Sequence, residues 1–269
     1  MSGEITGRSF AISDDHYGVT AAIYRCRVCG FMQCHDLREV LPYYEQMEDE
    51  TFDQMRLERS LQQRRLLEHV NRLKKSGHLL DIGAGSGMLV EQAIAMGYQA
   101  EGVEPSYWLQ SRAMKLGLPV HRGTFPHPDL NPPYDVITMV DILEHLQNPI
   151  EILRAVREAL KKDGIGMVVT PDAGSLMARF FGFKWWHFRV AHIGYFNRYN
   201  LLLALERAGL KVLRVAKPGW YFNADYLIDR FNRYLPEIFQ LPVLTSMKKI
   251  IIPLNLLDSL LFVFQRAGE

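Results

Sequence analysis

The stretch from Leu79 to Gly87, with the sequence LLDIGAGSG, constrains the fold more than any other part of the chain. Its leucines and isoleucine predict the end of a buried parallel strand. Three glycines at alternate positions follow, and the apolar-periodic run from Met88 to Met96 predicts a helix. Glycine permits the sharp bend between the two elements and lets a ligand approach the backbone. The free N–H groups at the helix N-terminus favour a ligand that carries a carboxylate or a phosphate.

Two further segments place acidic residues at the ends of predicted strands. The segment that starts at Gln99 predicts a strand ending at Glu104, where a carboxylate can accept hydrogen bonds from both ribose hydroxyls. The run from Tyr134 to Leu146, YDVITMVDILEHL, predicts an apolar strand that ends in a polar cluster. Because open α/β sheets bind ligands at the carboxyl ends of their strands, these segments together predict a nucleotide-type ligand.

The glycine spacing distinguishes between two classes of nucleotide ligand. The dinucleotide fingerprint is G-x-G-x-x-G, and Met88 stands where its third glycine belongs, which disfavours an NAD-dependent oxidoreductase. The pattern Asp81-x-Gly83-x-Gly85-x-Gly87, together with Glu104 and the run VDILEHLQNP, resembles instead the class I S-adenosylmethionine (SAM) methyltransferases. The resemblance spans roughly residues 51–217. It is to a branch that includes the ubiquinone-pathway O-methyltransferases and many sugar, lipid and natural-product methyltransferases.

The resemblance implies an α/β fold with a doubly wound, Rossmann-like and mostly parallel sheet of seven strands, of which the last is antiparallel. We expect this last strand, SLLFVFQ from Ser259, at the edge of the sheet. Apolar periodicity predicts one long amphipathic helix over residues 51–75. The implied division of the chain is an N-terminal ribbon-like segment and linker (1–50), a SAM-binding core (51–217), a helical insertion (218–256) and the last strand (257–269).

The resemblance also implies which residues bind SAM. Asp81 would hold the amino group of SAM, directly or through water, and Asp141 and Ile142 would border its methionine and ribose portions. Relatives often carry an acidic residue near Thr124 for the adenine amine, but this chain has none there. Backbone groups of Thr124 and Phe125 would therefore contact the adenine. The full set is Asp81, Gly83, Ala84, Gly85, Gly87, Glu104, Pro105, Thr124, Phe125, Asp141 and Ile142.

Three histidines are candidates for a catalytic base. The methyl group of SAM is already activated by its sulfonium, so the enzyme must align the acceptor atom in line with the methyl carbon and sulfur. A hydroxyl acceptor, which we favour, must also lose a proton. His145 is the first candidate because an ordinary histidine pKa of about 6.5 permits proton transfer near neutral pH. His192 and His187 are the second and third. For each of them, a structural, hydrogen-bonded histidine is the alternative.

The segment from Pro171 to Asn200 is rich in aromatic residues and predicts the acceptor site. Its side chains would line an apolar pocket or form a lid that excludes water, and the alternative is a core beneath a long loop. Trp185, Trp186 and Tyr195 are the predicted acceptor contacts. The expected acceptor is a small molecule, a sugar or a lipid-linked molecule.

The N-terminal segment contains a CxxC pair, Cys26 and Cys29, that is similar to a zinc knuckle. A structural zinc site needs four ligands, and Cys34, His35 and His16 are candidates to complete it. The alternative is a remnant ribbon that packing alone holds together.

The resemblance to the ubiquinone-pathway enzymes implies a second metal site. Asp141, Glu144 and His145 would hold Mg²⁺, which oxygen ligands suit. The Glu-His pair also occurs widely in relatives with no metal role, so both interpretations stay open.

Composition limits the partners and the compartment. The net charge is +1 and the chain has no basic run, so nucleic acid is not an expected partner. Three cysteines suit a reducing compartment, and residues 1–10 lack the apolar core of a signal peptide. We therefore expect a cytoplasmic protein.

Aromatic and cationic residues between Pro218 and Pro253 suggest peripheral membrane contact. The alternative is a helical subdomain packed on the sheet or buried in a homodimer.

These observations predict a SAM-dependent methyltransferase. The alternative from another class is a catalytically silent subunit of the same fold that serves as a binding partner or scaffold. Intact residues Asp81, Gly83, Gly85 and Glu104 argue against a loss of SAM binding.

Overall fold

The computed structural model describes residues 7–11, 18–34, 40–236, 239–242, 247 and 249–268. The strands are β1 (Ile23–Arg25), β2 (Met32–Cys34), β3 (His78–Ile82), β4 (Gln99–Glu104), β5 (Val120–Arg122), β6 (Tyr134–Val140), β7 (Leu160–Pro171), β8 (Gly194–Tyr195), β9 (Leu210–Ala216), β10 (Trp220–Asn223), β11 (Ile251–Leu254) and β12 (Ser259–Arg266). The α-helices are α1 (Leu41–Glu45), α2 (Glu50–Gln54), α3 (Arg56–Asn71), α4 (Met88–Ala95), α5 (Tyr107–Lys115), α6 (Pro149–Ala159), α7 (Leu176–Phe181), α8 (Arg198–Arg207) and α9 (Ala224–Asn232). Short 3₁₀ helices span Gly7–Phe10, Leu143–His145 and Gly182–Lys184.

Seven strands form one sheet in the order β5-β4-β3-β6-β7-β12-β9. The neighbours from β5 to β7 pair in parallel, and β12 runs antiparallel to both β7 and β9. The prediction of a mostly parallel seven-stranded sheet with an antiparallel last strand is therefore confirmed.

The expected edge position of the last strand is wrong, because β12 lies between β7 and β9. Leu261 pairs with Val169 on one side and with Ala216 on the other. Six consecutive residues of β12, from Ser259 to Phe264, are buried. A strand with neighbours on both edges and helices over both faces is apolar throughout, and the uninterrupted run in its sequence is typical of such a central strand.

Helices cover both faces of the sheet, as the prediction of a doubly wound fold requires. Successive strand residues point to opposite faces. Leu80 and Ile137 therefore join the apolar cluster beneath α6 and α8, whereas Leu79 and Val136 join the cluster beneath α3 and α4. The sheet is thus buried on both sides, and its strand ends remain the place where polar groups can meet a ligand.

The predicted bend between β3 and α4 is confirmed, and its three glycines all have positive φ. The φ angles are +75° at Gly83, +55° at Gly85 and +77° at Gly87, in a region that L side chains rarely adopt. A Cβ at Gly83 would lie 2.0 Å from Ile142 Cδ1, and one at Gly87 would lie 2.8 Å from Leu118 Cδ1. Among the residues that the structure describes, a Cβ at Gly85 would meet no atom closer than 3.9 Å. The outer two glycines therefore permit close packing, and the central one faces open space.

The N-terminal segment is tied to the aromatic segment of residues 171–200. Strands β1 and β2 form an antiparallel hairpin, and β2 also pairs with β8 to give a three-stranded sheet. Phe10, Cys34 and Val40 share one buried apolar cluster with Trp185 and other residues of the aromatic segment. The proposed domain boundary at residue 50 stays a prediction.

Two elements differ in detail from their prediction. The long helix expected over residues 51–75 is broken at Met55 into α2 and α3, and Asp49 caps α2 by accepting a hydrogen bond from the Phe52 amide at 2.8 Å. The insertion of residues 218–256 contains α9 and also a two-stranded antiparallel ribbon, β10 with β11. Among the helices described here, none is both long and apolar enough to span a membrane.

We predict that Gly166→Ala destabilises the sheet. Gly166 lies opposite Phe264, and a Cβ there would lie 2.1 Å from a carbon of the Phe264 ring, which is fully buried and has no room to move. Overpacking of this kind costs about 1–3 kcal/mol. Chemical denaturation followed by circular dichroism would measure the lost free energy of unfolding.

Gly268→Ala is the matched control, because a Cβ there would meet no atom of the described part of the chain within 4 Å. Its free energy of unfolding should stay within about 0.5 kcal/mol of the parent. Equal stability of the two variants would contradict the packing argument.

Candidate active site

A cavity of about 450 Å³ opens at the carboxyl ends of β3, β4 and β6. This is the edge at which open α/β sheets bind ligands. Of the predicted SAM-binding residues, Gly87 lies outside the cavity wall and caps α4 instead. The predicted residues that line the cavity are Asp81, Gly83, Ala84, Gly85, Glu104, Pro105, Thr124, Phe125, Asp141, Ile142, His145, His187 and His192.

The cavity wall at Gly85 is open enough for a ligand to reach the backbone. A Cβ at this position would fill part of the cavity, where the Phe52 ring is the only described group within 4 Å. The Gly85 amide donates a hydrogen bond to Glu104 Oε2 at 2.8 Å, which holds the bend in place. The bend therefore fits the close approach of a nucleoside.

Glu104 ends β4 as a buried carboxylate on the cavity wall. Its two oxygens accept hydrogen bonds from the amides of Gly85 and Ser106, both at 2.8 Å. Burial raises the pKa of Glu104 to about 7, although these two hydrogen bonds act in the opposite direction. Each carboxylate oxygen has a second lone pair, so the group can still accept hydrogen bonds from the hydroxyls of a ribose.

Asp81 is a second buried carboxylate, at the end of β3. Thr138 donates a hydrogen bond to Asp81 Oδ1 at 2.6 Å. Burial raises the pKa of Asp81 to about 7, the hydrogen bond lowers it, and the nearby charge of Glu104 raises it further. Two carboxylates in one enclosed site favour a ligand that carries positive charge.

Asp141 follows β6 and has an unusual backbone conformation. Its φ is +54°, and its amide donates to the Val169 carbonyl at 2.9 Å. Burial raises the pKa of Asp141 to about 7, while the charge of Arg59 lowers it. A left-handed non-glycine residue is often found at a functional site, because the surrounding structure must hold it there.

The three predicted histidines lie together on the wall of the same cavity. The ring centroids are 4.9 Å apart for His145 and His192, and 5.6 Å apart for His192 and His187. His145 Nδ1 donates to the Ala191 carbonyl at 2.7 Å and also contacts the Tyr44 hydroxyl. His192 Nδ1 is buried and has no hydrogen-bond partner among the described residues.

Burial keeps these histidines neutral at physiological pH. It lowers the pKa of His145 to about 4 and the pKa of His187 to about 3, and it lowers the pKa of His192 well below its ordinary value. The charge of Arg189 acts in the same direction on all three. A neutral imidazole has the protonation state that a base requires, but the lowered pKa makes each of these rings a weaker base than an ordinary histidine.

The magnesium prediction is not supported by the donor geometry. Ligating atoms of Glu144, His145 and His192 lie within 4.8 Å of one another, and Asp141 is not part of this group. Two imidazoles with one carboxylate suit transition metals better than Mg²⁺, which prefers oxygen ligands. The residues present therefore do not fit the predicted ion.

The zinc prediction needs a correction at Cys34. The hairpin register pairs Cys34 with Ile23, at the opposite end from the turn that holds Cys26 and Cys29. Cys34 Sγ is buried, 3.9 Å from the His192 carbonyl. No group of three potential metal ligands in the described part of the chain includes Cys26 or Cys29. His16 and His35 lie outside the described residues.

The predicted acceptor contacts lie in the apolar core and not on the cavity wall. Trp185 is fully buried, and its Nε1 donates to Asp258 Oδ2 at 3.3 Å. Tyr195 is buried in β8, and Trp186 packs edge-on against Phe181. Because these side chains fill space between the aromatic segment and the N-terminal ribbon, a role as acceptor contacts has no structural support and stays a prediction.

Several residues of the cavity wall are not among those predicted from the sequence. Tyr44 comes from α1, Phe52 and Arg59 from the helices that follow, Arg189 from the aromatic segment and Trp220 from β10. No local pattern marks them, because they belong to elements whose periodicity indicates only packing. The sequence does contain one indication, because Arg59 lies on a face of α3 that also carries apolar residues.

Comparison with known proteins supports the prediction of a SAM-dependent methyltransferase. A family model described as a methyltransferase domain matches residues 54–215, more than half of the chain. The chain is 31% identical over 105 residues to a ubiquinone biosynthesis O-methyltransferase of Yersinia enterocolitica, a match that covers 34% of this chain and 43% of that relative. The corresponding protein of Sodalis glossinidius is 32% identical over 117 residues, with 36% of this chain and 47% of the relative covered. The chain thus spans less than half the length of these relatives.

The fold is also found in solved structures. A SAM-dependent methyltransferase from Clostridium acetobutylicum superposes with a TM-score of 0.53 at 12% identity, over 81% of this chain and 98% of that one. This likeness shows the architecture, and the family match covers both the glycine bend and the strand that ends before Asp141. The chain therefore belongs to the methyltransferase-domain family, whose cofactor is SAM.

Proposed function

We propose that this protein transfers the methyl group of SAM to a hydroxyl of a small molecule, a sugar or a lipid-linked molecule. One observation carries the proposal: a single cavity joins the open glycine bend and its buried carboxylates to a cluster of neutral histidines. The bend and carboxylates suit a cationic nucleoside, and the histidines suit removal of a proton from the acceptor. The name of the matched relatives, ubiquinone biosynthesis O-methyltransferase, supports oxygen as the methylated atom.

Some residues of the cavity wall would bind SAM, and others would take part in proton transfer. SAM supplies a methyl group that its sulfonium has already activated. Glu104 accepts hydrogen bonds from ribose hydroxyls, and Asp81 and Asp141 place negative charge near the methionine portion. The open backbone at Gly85 allows close approach of the nucleoside. His192, whose Nδ1 has no partner among the described residues, is positioned to hold the proton that the acceptor loses.

His145 supports His192 in this arrangement. Its ring contacts the His192 ring edge-on at 4.9 Å, and its own Nδ1 is held by Ala191 and Tyr44. In the alternative assignment, His145 is the base and His192 is a structural residue. That assignment does not explain why His192 Nδ1 is buried without a hydrogen-bond partner among the described residues.

A lipid-linked acceptor and peripheral membrane contact stay predictions, and one surface supports them. Phe180 and Phe183 are 81% and 72% exposed, beside Arg179 and Lys184, and no acidic residue occurs in residues 173–205. Exposed aromatic side chains among cations fit the surface of an anionic membrane. Homodimer formation and cytoplasmic location also stay predictions.

The alternative function is a silent scaffold subunit, and a substitution at Gly85 separates the two. An arginine side chain would occupy the cavity, so Gly85→Arg should abolish SAM binding in isothermal titration calorimetry. Gly117→Arg is the control because Gly117 also has a positive φ, +70°, and a Cβ there would meet none of the described atoms within 4 Å. It should leave SAM affinity unchanged. A parent protein that does not bind SAM would favour the scaffold.

SAM affinity should also depend on pH. The pKa values of Asp81, Glu104 and Asp141 are all raised to about 7, so these groups lose negative charge as the pH falls. One carboxyl with a pKa of 7 is about 90% ionised at pH 8 and about 10% at pH 6, which weakens a cationic ligand about tenfold. Calorimetry with SAM across this range would measure the change. S-adenosylhomocysteine, which lacks the sulfonium charge, should change less, and a flat profile for SAM would contradict the electrostatic argument.

The base assignment gives a separate prediction. His192→Gln should lower the turnover rate about 10²- to 10⁴-fold with a hydroxyl acceptor and leave SAM affinity within about twofold. Formation of S-adenosylhomocysteine from SAM, measured with a panel of phenols, sugars and lipid-linked alcohols as acceptors, would identify the acceptor and give the rate. His78→Gln, at an exposed position, is the control. Full activity of His192→Gln would reject His192 as the base.

A further inference from the structure

A second group of potential metal ligands lies beside β5, apart from the cavity. His121 belongs to β5, and His127 and Asp129 belong to the loop that follows this strand. One ligand atom from each of the three residues lies within 4.8 Å of the other two, and the two imidazole ring centroids are 5.8 Å apart. None of the three side chains lines the cavity, so this group is separate from the site described above.

The neighbours of His127 fix which of its ring nitrogens can bind an ion. Its Nε2 donates to the Arg122 carbonyl at 3.0 Å, because a carbonyl oxygen can only accept. Its Nδ1 therefore carries the free lone pair of the neutral ring. This nitrogen accepts only a long hydrogen bond, 3.3 Å, from the Asp129 amide, and Asp129 Oδ2 lies 3.9 Å away from it. A cation between the nitrogen and the carboxylate would replace a weak contact with two strong ones.

His121 is oriented by a carboxylate. Its Nε2 donates to Glu101 Oε2 at 3.0 Å, and Glu101 Oε1 in turn accepts a hydrogen bond from the Tyr134 hydroxyl at 2.7 Å. This arrangement keeps the proton of His121 on Nε2 and the lone pair on Nδ1. Metal-binding histidines almost always donate their other ring N–H to a carboxylate or a backbone carbonyl, which fixes the orientation of the ring. His121 and His127 each have one of these two partners.

From this geometry we infer that His121, His127 and Asp129 bind a divalent transition-metal ion, and Zn²⁺ is the best match. Two imidazoles and one carboxylate are ligands typical of Zn²⁺ sites that have three protein ligands and one water. Two ligands of one Zn²⁺ are at most about 4.4 Å apart, because each lies about 2.0–2.2 Å from the ion. A separation of up to 4.8 Å therefore requires only a small closing movement, which the exposed Asp129 side chain permits.

The ion would hold in place a loop that forms part of the cavity wall. Gly123, Thr124 and Phe125 line the cavity, and the Gly123 amide donates to the Glu104 carbonyl at 3.0 Å. His127 packs against Gly123, where a Cβ would lie 2.7 Å from His127 Cδ2. Metal binding at His127 would therefore restrict this part of the wall without any contact between the ion and a ligand in the cavity.

Isothermal titration calorimetry of the full chain with Zn²⁺ tests the site. His127→Gln should weaken one Zn²⁺-binding event by about 100-fold or more, because loss of a ligand exceeds the cost of losing an outer hydrogen-bond partner. Glu101→Gln changes the partner of His121 and removes no ligand, so it should weaken the same event about 10- to 100-fold. Mg²⁺, which prefers oxygen ligands, should not compete with Zn²⁺ for this site.

Hydrogen–deuterium exchange, read by mass spectrometry, assigns the ion to this loop. Zn²⁺ should slow exchange in residues 122–130 of the parent protein and leave it unchanged in His127→Gln. The matched control is His78→Gln, the same substitution at an exposed histidine outside the described groups of metal ligands. Cys26→Ser and His192→Gln alter the other candidate metal ligands of the chain. In all three of these variants Zn²⁺ should still slow exchange in the loop.

Asp129→Asn gives a second test at an exposed side chain, in case His127→Gln does not fold by circular dichroism. It should also weaken Zn²⁺ binding and remove the effect of Zn²⁺ on the loop. The inference is overturned if the parent protein binds Zn²⁺ no more tightly than Mg²⁺, or if folded ligand variants keep the Zn²⁺ affinity and the loop protection of the parent. Neither measurement involves SAM, so the proposed methyltransferase function stands in either case.

Discussion

The carboxylate of Glu104 holds together the two strand ends on which the site depends. One of its oxygens accepts a hydrogen bond from Gly85 in the bend after β3, and the other accepts from Ser106, which caps α5 after β4. The Val103 carbonyl adds hydrogen bonds from Gly83 and Ala84, at 2.9 and 3.0 Å. The bend is thus fixed by its neighbouring strand more than by its own sequence. Glycine is needed so that the backbone can reach these partners without a steric clash.

This arrangement has an electrostatic cost that a ligand can offset. Asp81, Glu104 and Asp141 all line this cavity, and burial favours the protonated form of each. The charge of Glu104 adds to this effect on Asp81. Burial likewise favours the neutral forms of His145 and His187 on the same cavity wall. Burial thus drives both the carboxylates and the histidines toward neutrality. A bound cation would restore the charge of the carboxylates and leave the histidines neutral, which are the states that binding and proton removal each need.

The sequence predicted the features that depend on local spacing and missed those that depend on packing between distant segments. The bend at Gly85 and the carboxylate at Glu104 follow from strand–turn–helix patterns, and the structure places both at the cavity. The position of β12 between two earlier strands is set by long-range pairing, which an apolar run does not encode. Trp185 also depends on long-range packing. The density of aromatic residues around it predicts that it is buried, but not which segments its ring contacts. Arg59 was overlooked because its helix shows only a packing pattern.

The N-terminal hairpin contacts the backbone next to His192, the proposed base. The residue after His192, Ile193, accepts a hydrogen bond from the Cys34 amide at 2.8 Å, and its own amide donates to the Glu144 carbonyl at 2.9 Å. Main-chain bonds on both sides of Ile193 therefore fix the backbone next to His192 between β2 and the 3₁₀ helix that carries His145. These main-chain bonds do not involve the two cysteines at the hairpin turn. Strand pairing of the hairpin, and not a metal at its turn, therefore connects the N-terminal segment to the backbone beside His192.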